Sequence, residues 1–175
     1  MNRFHDRSML VMLSAMLLLF FIVGGWLGFG LSNRGSGVAM DSLELEARGK
    51  REIIEVHRFF QDWYRGRLDD DHFSRFDQVL DCDFAIILPD ARILERSNII
   101  DAVQGQKASD SAAILEIRNA ALRHARDGIA VFTYEEWQGR EGESLRGRLS
   151  TVVFASDKAA PNGLSWLHVH ETWLP

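Results

Sequence analysis

The side chains here whose types and spacing could do chemistry lie mostly at the C-terminal end. His168-x-His170 places two imidazoles on one strand face, a spacing that can chelate a metal. A third ligand would have to come from Cys82 or His124. The competing reading turns both histidines to the outer side of a sheet, as structural or interface residues. Glu171 follows them, alternating with the apolar Leu167, Val169 and Trp173, while Trp166, His168, His170 and Thr172 form the other set. Alternate residues share a face of a strand. The first set is the more apolar, so it is expected to face the interior and to carry Glu171 inward. Burial raises a carboxyl pKa towards neutrality, where it can exchange protons with a bound molecule. Elsewhere the signals are plainer. Asp69-Asp70-Asp71 lacks the remaining ligand positions of a calcium loop and reads as a solvated turn. Cys82 is the single cysteine, which excludes an intramolecular disulfide and a multi-cysteine zinc site, and it reads as an inert small hydrophobe. No nucleophile elbow, phosphate loop or dinucleotide fingerprint occurs. No catalytic residue, metal site or cofactor is assigned.

The elements that must position these groups occupy only part of the chain. It has 175 residues with 46% hydrophobic content and 18 aromatics, too apolar for disorder and long enough for one domain. The net charge of −5 divides unevenly. Residues 1–31 carry Arg3, Arg7 and Asp6, a net +1, so the remainder is −6. An acidic body argues against nucleic acid as a partner. Met9 to Leu31 holds no charge, and about 20 apolar residues span a bilayer. The expected division is a tip at 1–8, a transmembrane anchor at 9–31, a flexible linker at 32–42 and a folded domain at 43–175. A cleaved signal peptide fits less well, because the run is too long and lacks an A-x-A site. A start at Met40 is the remaining alternative. Arg3 and Arg7 favour a cytoplasmic tip and an exported domain. Gly24-x-x-x-Gly28 could let two anchors pack, or simply lie where the helix frays.

Within the body, Ile53, Val56, His57, Phe60, Trp63 and Tyr64 follow the spacing of one helical face between Leu43 and Arg67, with Asp41 or Ser42 as cap. A short second helix is expected after an Asp71 cap, burying Phe73, Phe76, Val79 and Leu80. Asp83–Leu88 and Arg92–Glu95 read as strands around Pro89-Asp90-Ala91, and Ser97 as the cap of a third helix reaching Gln104. Four longer strand-like runs follow, Ala113–His124, Ile129–Gln138, Leu145–Ala155 and Leu164–Trp173. Turn residues fill each gap, so these strands must be antiparallel. The fold class predicted is α+β, with three helices on one face of a strongly curved, mostly antiparallel sheet.

That order resembles the cone-shaped superfamily of nuclear transport factor 2, which includes SnoaL-like cyclases, ketosteroid isomerases, scytalone dehydratase and the association domain of calcium/calmodulin-dependent protein kinase II. Phe59-Phe60-x-x-Trp63-Tyr64 before an acidic turn, Asp83-Phe84 opening a strand, and the ending Trp166-Leu167-His168-Val169-His170-Glu171-Thr172 carry the likeness. The ending is most similar to the kinase association domain, but has Trp two residues before the first His rather than four. It also has Glu171 where that domain carries Arg. The resemblance implies a cavity and a homodimer. Aligned on it, Ile129–Gln138 sends Val131, Thr133, Glu135 and Trp137 inward, and Leu145–Ala155 sends Leu149, Thr151 and Val153 inward. The expected cavity set is therefore Trp63, Tyr64, Thr133, Glu135, Trp137, Thr151, Glu171 and Trp173. Two carboxylates there suggest acid/base work, or a cation held against Trp63, Trp137 and Trp173. Alternatively both are inert, at a wet rim or paired with Arg118, Arg123 or Arg148. The function expected is a membrane-anchored domain that binds a small ligand or dimerises. The alternatives are an isomerase, dehydratase or cyclase with Glu135 or Glu171 as general base, and a structural dimer.

Overall fold

The computed structural model describes residues 35–175, so the tip, the apolar span and Gly24-x-x-x-Gly28 lie outside the described residues. Helix α1 (Gly35–Tyr64) opens ahead of the predicted Leu43. No breaker follows Gly37, and Asp41 and Ser42 sit exposed within the helix rather than capping it. It ends because Gly66 takes a φ of +69°, which a side chain would resist. Its inward stripe buries Ile53, Val56, His57, Phe59 and Trp63.

A 3-10 turn (Asp70–Phe73) leads into α2 (Ser74–Val79), so Asp71 belongs to the turn and does not cap the helix. Strand β1 (Leu80–Ile87) begins earlier than predicted, and β2 (Ile93–Glu95) returns beside it. Helix α3 (Arg96–Gln104) is capped by Glu95, not Ser97, through a reciprocal capping box with Asn98. The remaining strands are β3 (Ala113–Arg126), β4 (Ile129–Arg140), β5 (Arg146–Ser156) and β6 (Leu164–Trp173). Asp127 and Gly128, both at positive φ, form the tight turn between β3 and β4.

The sheet order is β2-β1-β6-β5-β4-β3, antiparallel except where β1 runs parallel to β6. Register breaks in β3, near Asn119 at φ +54°, and in β6 curve the sheet around the helices. Its concave side holds the core, where Phe132, Phe154 and Trp166 share one hydrophobic cluster with the aromatic rings of Phe59, Trp63, Phe73 and Phe76. Helix α1 comes so close that a Cβ on Gly49 would lie 2.1 Å from Phe132 Cζ. A buried carboxylate, Glu52, joins α1 to three other parts of the chain. It accepts hydrogen bonds from Arg75 Nη2 at 2.8 Å, Asn162 Nδ2 at 2.7 Å and Trp166 Nε1 at 3.0 Å.

The register settles which faces are which. Glu171 stands opposite Ser150, and Ser150 opposite Tyr134. Val169, Val152 and Phe132 form the next row. The inward set is therefore Ala130, Phe132, Tyr134 and Glu136 on β4, with Arg148, Ser150, Val152 and Phe154 on β5. Val131, Thr133, Glu135 and Trp137 face the other side, as do Leu149, Thr151 and Val153. This reverses the phase expected for both strands. The β5–β6 register pairs odd positions with even ones, so an odd set on β6 selects an even set on β5. Within β6 itself, a bulge at Leu167 lets Trp166 and Val169 both turn inward.

Candidate functional site

Between α1, α3 and the concave sheet lies a cavity of about 180 Å³. Phe60, Phe84, Ile86, Leu88, Ile99 and Leu115 give it a largely apolar wall. Its polar groups are His57, Tyr64, Tyr134, Glu136, Gln138, Arg148 and Glu171. Four of these form a relay running from helix to last strand. His57 Nδ1 donates to Ile53 O at 2.7 Å, a carbonyl that can only accept. His57 Nε2 stands 3.0 Å from Glu136 Oε2. Arg148 donates to the same carboxylate from Nε at 3.1 Å and from Nη2 at 2.7 and 2.8 Å. Its Nη1 reaches 3.0 Å from Glu171 Oε2. That approach is misaligned, and Glu171 Oε2 is buried without a hydrogen-bond partner among the described residues.

The two glutamates consequently titrate apart. Burial pushes both up. At Glu136 the Arg148 charge and the His57 contact outweigh it, and the pKa falls to about 2. At Glu171 burial prevails, reinforced by the Glu136 charge and only partly offset by Arg148, and the pKa rises to about 7. Burial also lifts Tyr64 to about 12 and Tyr134 well above its ordinary value, so both hydroxyls stay protonated.

Of the residues expected in the cavity, Tyr64 and Glu171 line it. Glu171 stands beside Arg148, one of the arginines considered as its partner. The others lie elsewhere, and each is a correction. Trp63 is buried in the aromatic core and donates to Val103 O at 2.8 Å. Glu135 accepts from Asn119 Nδ2 at 2.8 Å and Trp137 Nε1 at 2.9 Å on the outer face, which holds its pKa low. Thr133 accepts from Arg123 Nε at 2.7 Å there, and Thr151 pairs with Thr133 and His170. Arg118 covers Trp137, and Arg146 covers Trp173, which is 37% exposed. A cation in the cavity therefore meets none of the three tryptophan faces.

His57, Glu136 and Arg148 complete the site. His57 was legible as part of an apolar stripe, where a lone polar residue needs a partner. Glu136 was legible in the doublet Glu135-Glu136, which places one carboxylate on each face whatever the phase. His168 and His170 face outward opposite Val153 and Thr151. Among the described residues, the one acidic, histidine or cysteine cluster tight enough for a metal is Asp81, Cys82 and Asp83, which includes neither histidine. Cys82 is exposed, not a core hydrophobe, and its neighbour Asp81 raises its pKa.

No family model matches the chain. An NTF2-like protein of unknown function from Pseudomonas aeruginosa superposes with a TM-score of 0.66 at 24% identity, over 73% of this chain and 99% of that one. The CaMKII hub homology domain of Chlamydomonas reinhardtii superposes at 0.53 with 12% identity, over 73% of this chain and 98% of that one. A candidate dehydratase of the NTF2-like family from Streptomyces avermitilis gives 0.54 at 14% identity, over 79% and 99%. The chain has a nuclear transport factor 2-like fold. In sequence it is 25% identical over 129 residues to sucrose-phosphatase 2 of Nicotiana tabacum, a match spanning 70% of this chain and 30% of that protein. Nuclear transport factor 2-like cones thus include proteins named as hubs and one named as a candidate enzyme, so the fold leaves the chemistry to the cavity.

Proposed function

We propose that the cone binds a small, largely apolar molecule whose polar part meets Glu171, and that this domain is held at a membrane by residues 9–31 with its cavity on the extracytoplasmic side. The observation that carries the binding reading is Glu171 itself. It is 3% exposed, faces an apolar cavity and has a carboxyl oxygen that accepts no hydrogen bond among the described residues. A buried polar atom left unpaired costs about 1–3 kcal/mol, a cost that a ligand supplying the missing partner removes. Thermal shift against compact cyclic alcohols, ketones, aromatic acids, amines and sucrose tests this. A native-state ligand raises the melting temperature, by an amount that grows with the logarithm of its concentration once this exceeds Kd. The reading fails if nothing in that set shifts the folded protein.

A specific observation favours a second reading. Glu171 has a pKa of about 7, suited to taking and returning a proton at neutral pH. The cone would then be an isomerase or dehydratase with Glu171 as general base and Tyr64 and Tyr134 as neutral donors. The likeness to a candidate dehydratase supports this reading.

The outer sheet face supports dimerisation. Leu149 is 41% exposed there, in a row with Glu135 and Thr172. Solved likenesses include a hub homology domain and the association domain of the C. elegans CaMKII, at TM-scores of 0.53 and 0.52.

A further inference from the structure

If the cone binds a small molecule as proposed, the polar end of its cavity also dictates the head group, an inference that rests on that binding reading. Arg148 uses Nε and Nη2 on Glu136, leaving Nη1 as the guanidinium nitrogen free of a hydrogen bond to that carboxylate. Glu171 Oε2 lies 3.0 Å from Nη1, yet the two do not align, and Oε2 accepts from nothing among the described residues. A donor and an acceptor therefore sit side by side at the polar end of the cavity, within ion-pair distance yet not hydrogen-bonded to each other. Three kinds of head group could enter. An ammonium only donates: it satisfies Glu171 but confronts the Arg148 charge. A carboxylate only accepts: it satisfies Arg148 but confronts Glu171. A hydroxyl does both, accepting from Nη1 and donating to Oε2, with no change in charge.

The cavity limits the rest. An apolar cavity of about 150 Å³ in another protein holds benzene, so about 180 Å³ admits one six-membered ring with a substituent. The apolar wall opposes a polyol.

We infer that the cone selects a neutral, single-ring-sized alcohol or phenol, its hydroxyl bridging Arg148 Nη1 and Glu171 Oε2 and its ring lying against Phe60, Phe84 and Leu88. Isothermal titration of the full chain at neutral pH with one ring and four substituents tests this: cyclohexanol, methylcyclohexane, cyclohexanecarboxylate and cyclohexylammonium. Cyclohexanol binds about tenfold or more tighter than the other three, as one charge-assisted hydrogen bond predicts. In Glu171→Leu that advantage over methylcyclohexane disappears. In the milder Glu171→Gln, which keeps the shape, it shrinks to a few-fold. Equal binding of cyclohexanol and methylcyclohexane overturns the hydroxyl assignment and leaves the cavity reading intact. Tightest binding by the carboxylate or the ammonium overturns it in favour of that charge. If the folded protein binds none of the four, both readings fall together.

Discussion

Glu136 and Glu171 share one arginine and hold their protons at opposite ends of the carboxylate range. The difference lies chiefly in the balance of burial and charge: at Glu136 the Arg148 charge outweighs burial, with hydrogen bonds from Arg148 and His57 adding to it, whereas at Glu171 burial prevails and Oε2 accepts no hydrogen bond among the described residues. The consequence for stability has a definite sign. Glu171 has a folded pKa of about 7 against an ordinary 4.5, so the folded state holds the proton more tightly than the unfolded one. Its favourable contribution is complete below about pH 4.5 and is lost as pH rises through 7. The loss is roughly 3 kcal/mol by the usual conversion. Glu171→Gln removes this dependence, so its stability relative to the parent improves between pH 5 and pH 8. Urea unfolding midpoints at those two pH values check it, and an unchanged difference refutes it. Glu136 has the reverse sign. Its folded pKa of about 2 makes its contribution complete above about pH 4.5 and lost as pH falls through 2. Glu136→Gln leaves Arg148 and His57 facing no full negative charge, and costs about 3–5 kcal/mol at pH 7 in the same assay.

At the scale of elements, the position of α1 over β4 decides whether the relay forms at all. His57 reaches Glu136 only because Gly49, two turns earlier on the helix, lets Phe132 fit against its backbone. Alanine favours a helix interior over glycine by about 1 kcal/mol, so Gly49→Ala would ordinarily stabilise. Here its Cβ would fall 2.1 Å from a ring atom of a fully buried Phe132, and helix or ring must move. Gly49→Ala therefore destabilises by about 1–3 kcal/mol, as overpacking does. Chemical denaturation gives the sign directly, and a gain in stability contradicts the packing argument.

The same elements show what was legible in advance. The α1 stripe from Ile53 to Tyr64, the order of three helices and six strands, and the tight Asp127-Gly128 turn all follow from local periodicity and turn chemistry. The inward face of β4 does not. Its two alternate sets are almost equally apolar, Val131-Thr133-Glu135-Trp137 against Ala130-Phe132-Tyr134-Glu136. Only the β5–β6 register, a long-range property, chooses between them. Glu171 could be placed because its strand has one clearly apolar set. Glu135 could not, and its neighbour Glu136 holds the inner position instead. Glu95 as cap of α3 was obscured by Ser97, the commoner capping residue two positions on.

For the whole molecule, the first question is whether cones pair. Leu149 is exposed on the outer face of β5, flanked by Glu135 and Thr172 on the neighbouring strands. Residues 35–175 form one compact unit with its own core, so a fragment beginning at Gly35 is a fair test object. If cones pair through this face, the fragment sediments as a dimer at micromolar concentration. Leu149→Lys, which buries a charge in the pairing face, returns it to a monomer without lowering its melting temperature. A wild-type fragment that stays monomeric at high micromolar concentration refutes pairing through this sheet.

The second whole-molecule property is where the cone resides. Among the described residues no helix is long and apolar enough to cross a membrane, and the proposed anchor is the uncharged run from Met9 to Leu31. That run has 23 residues, about the length a bilayer core requires, and Arg3 and Arg7 precede it. The cone carries a net negative charge, which anionic headgroups repel. If residues 9–31 hold the protein there, the full chain pellets with membranes and stays after washing at high salt and alkaline pH, while the fragment 35–175 remains soluble. Screening by salt would release a protein held only by surface charge. Protease added to intact cells digests the cone of the full chain if it lies outside. Protection from protease until the cells are opened would place Glu171 and its cavity on the cytoplasmic side.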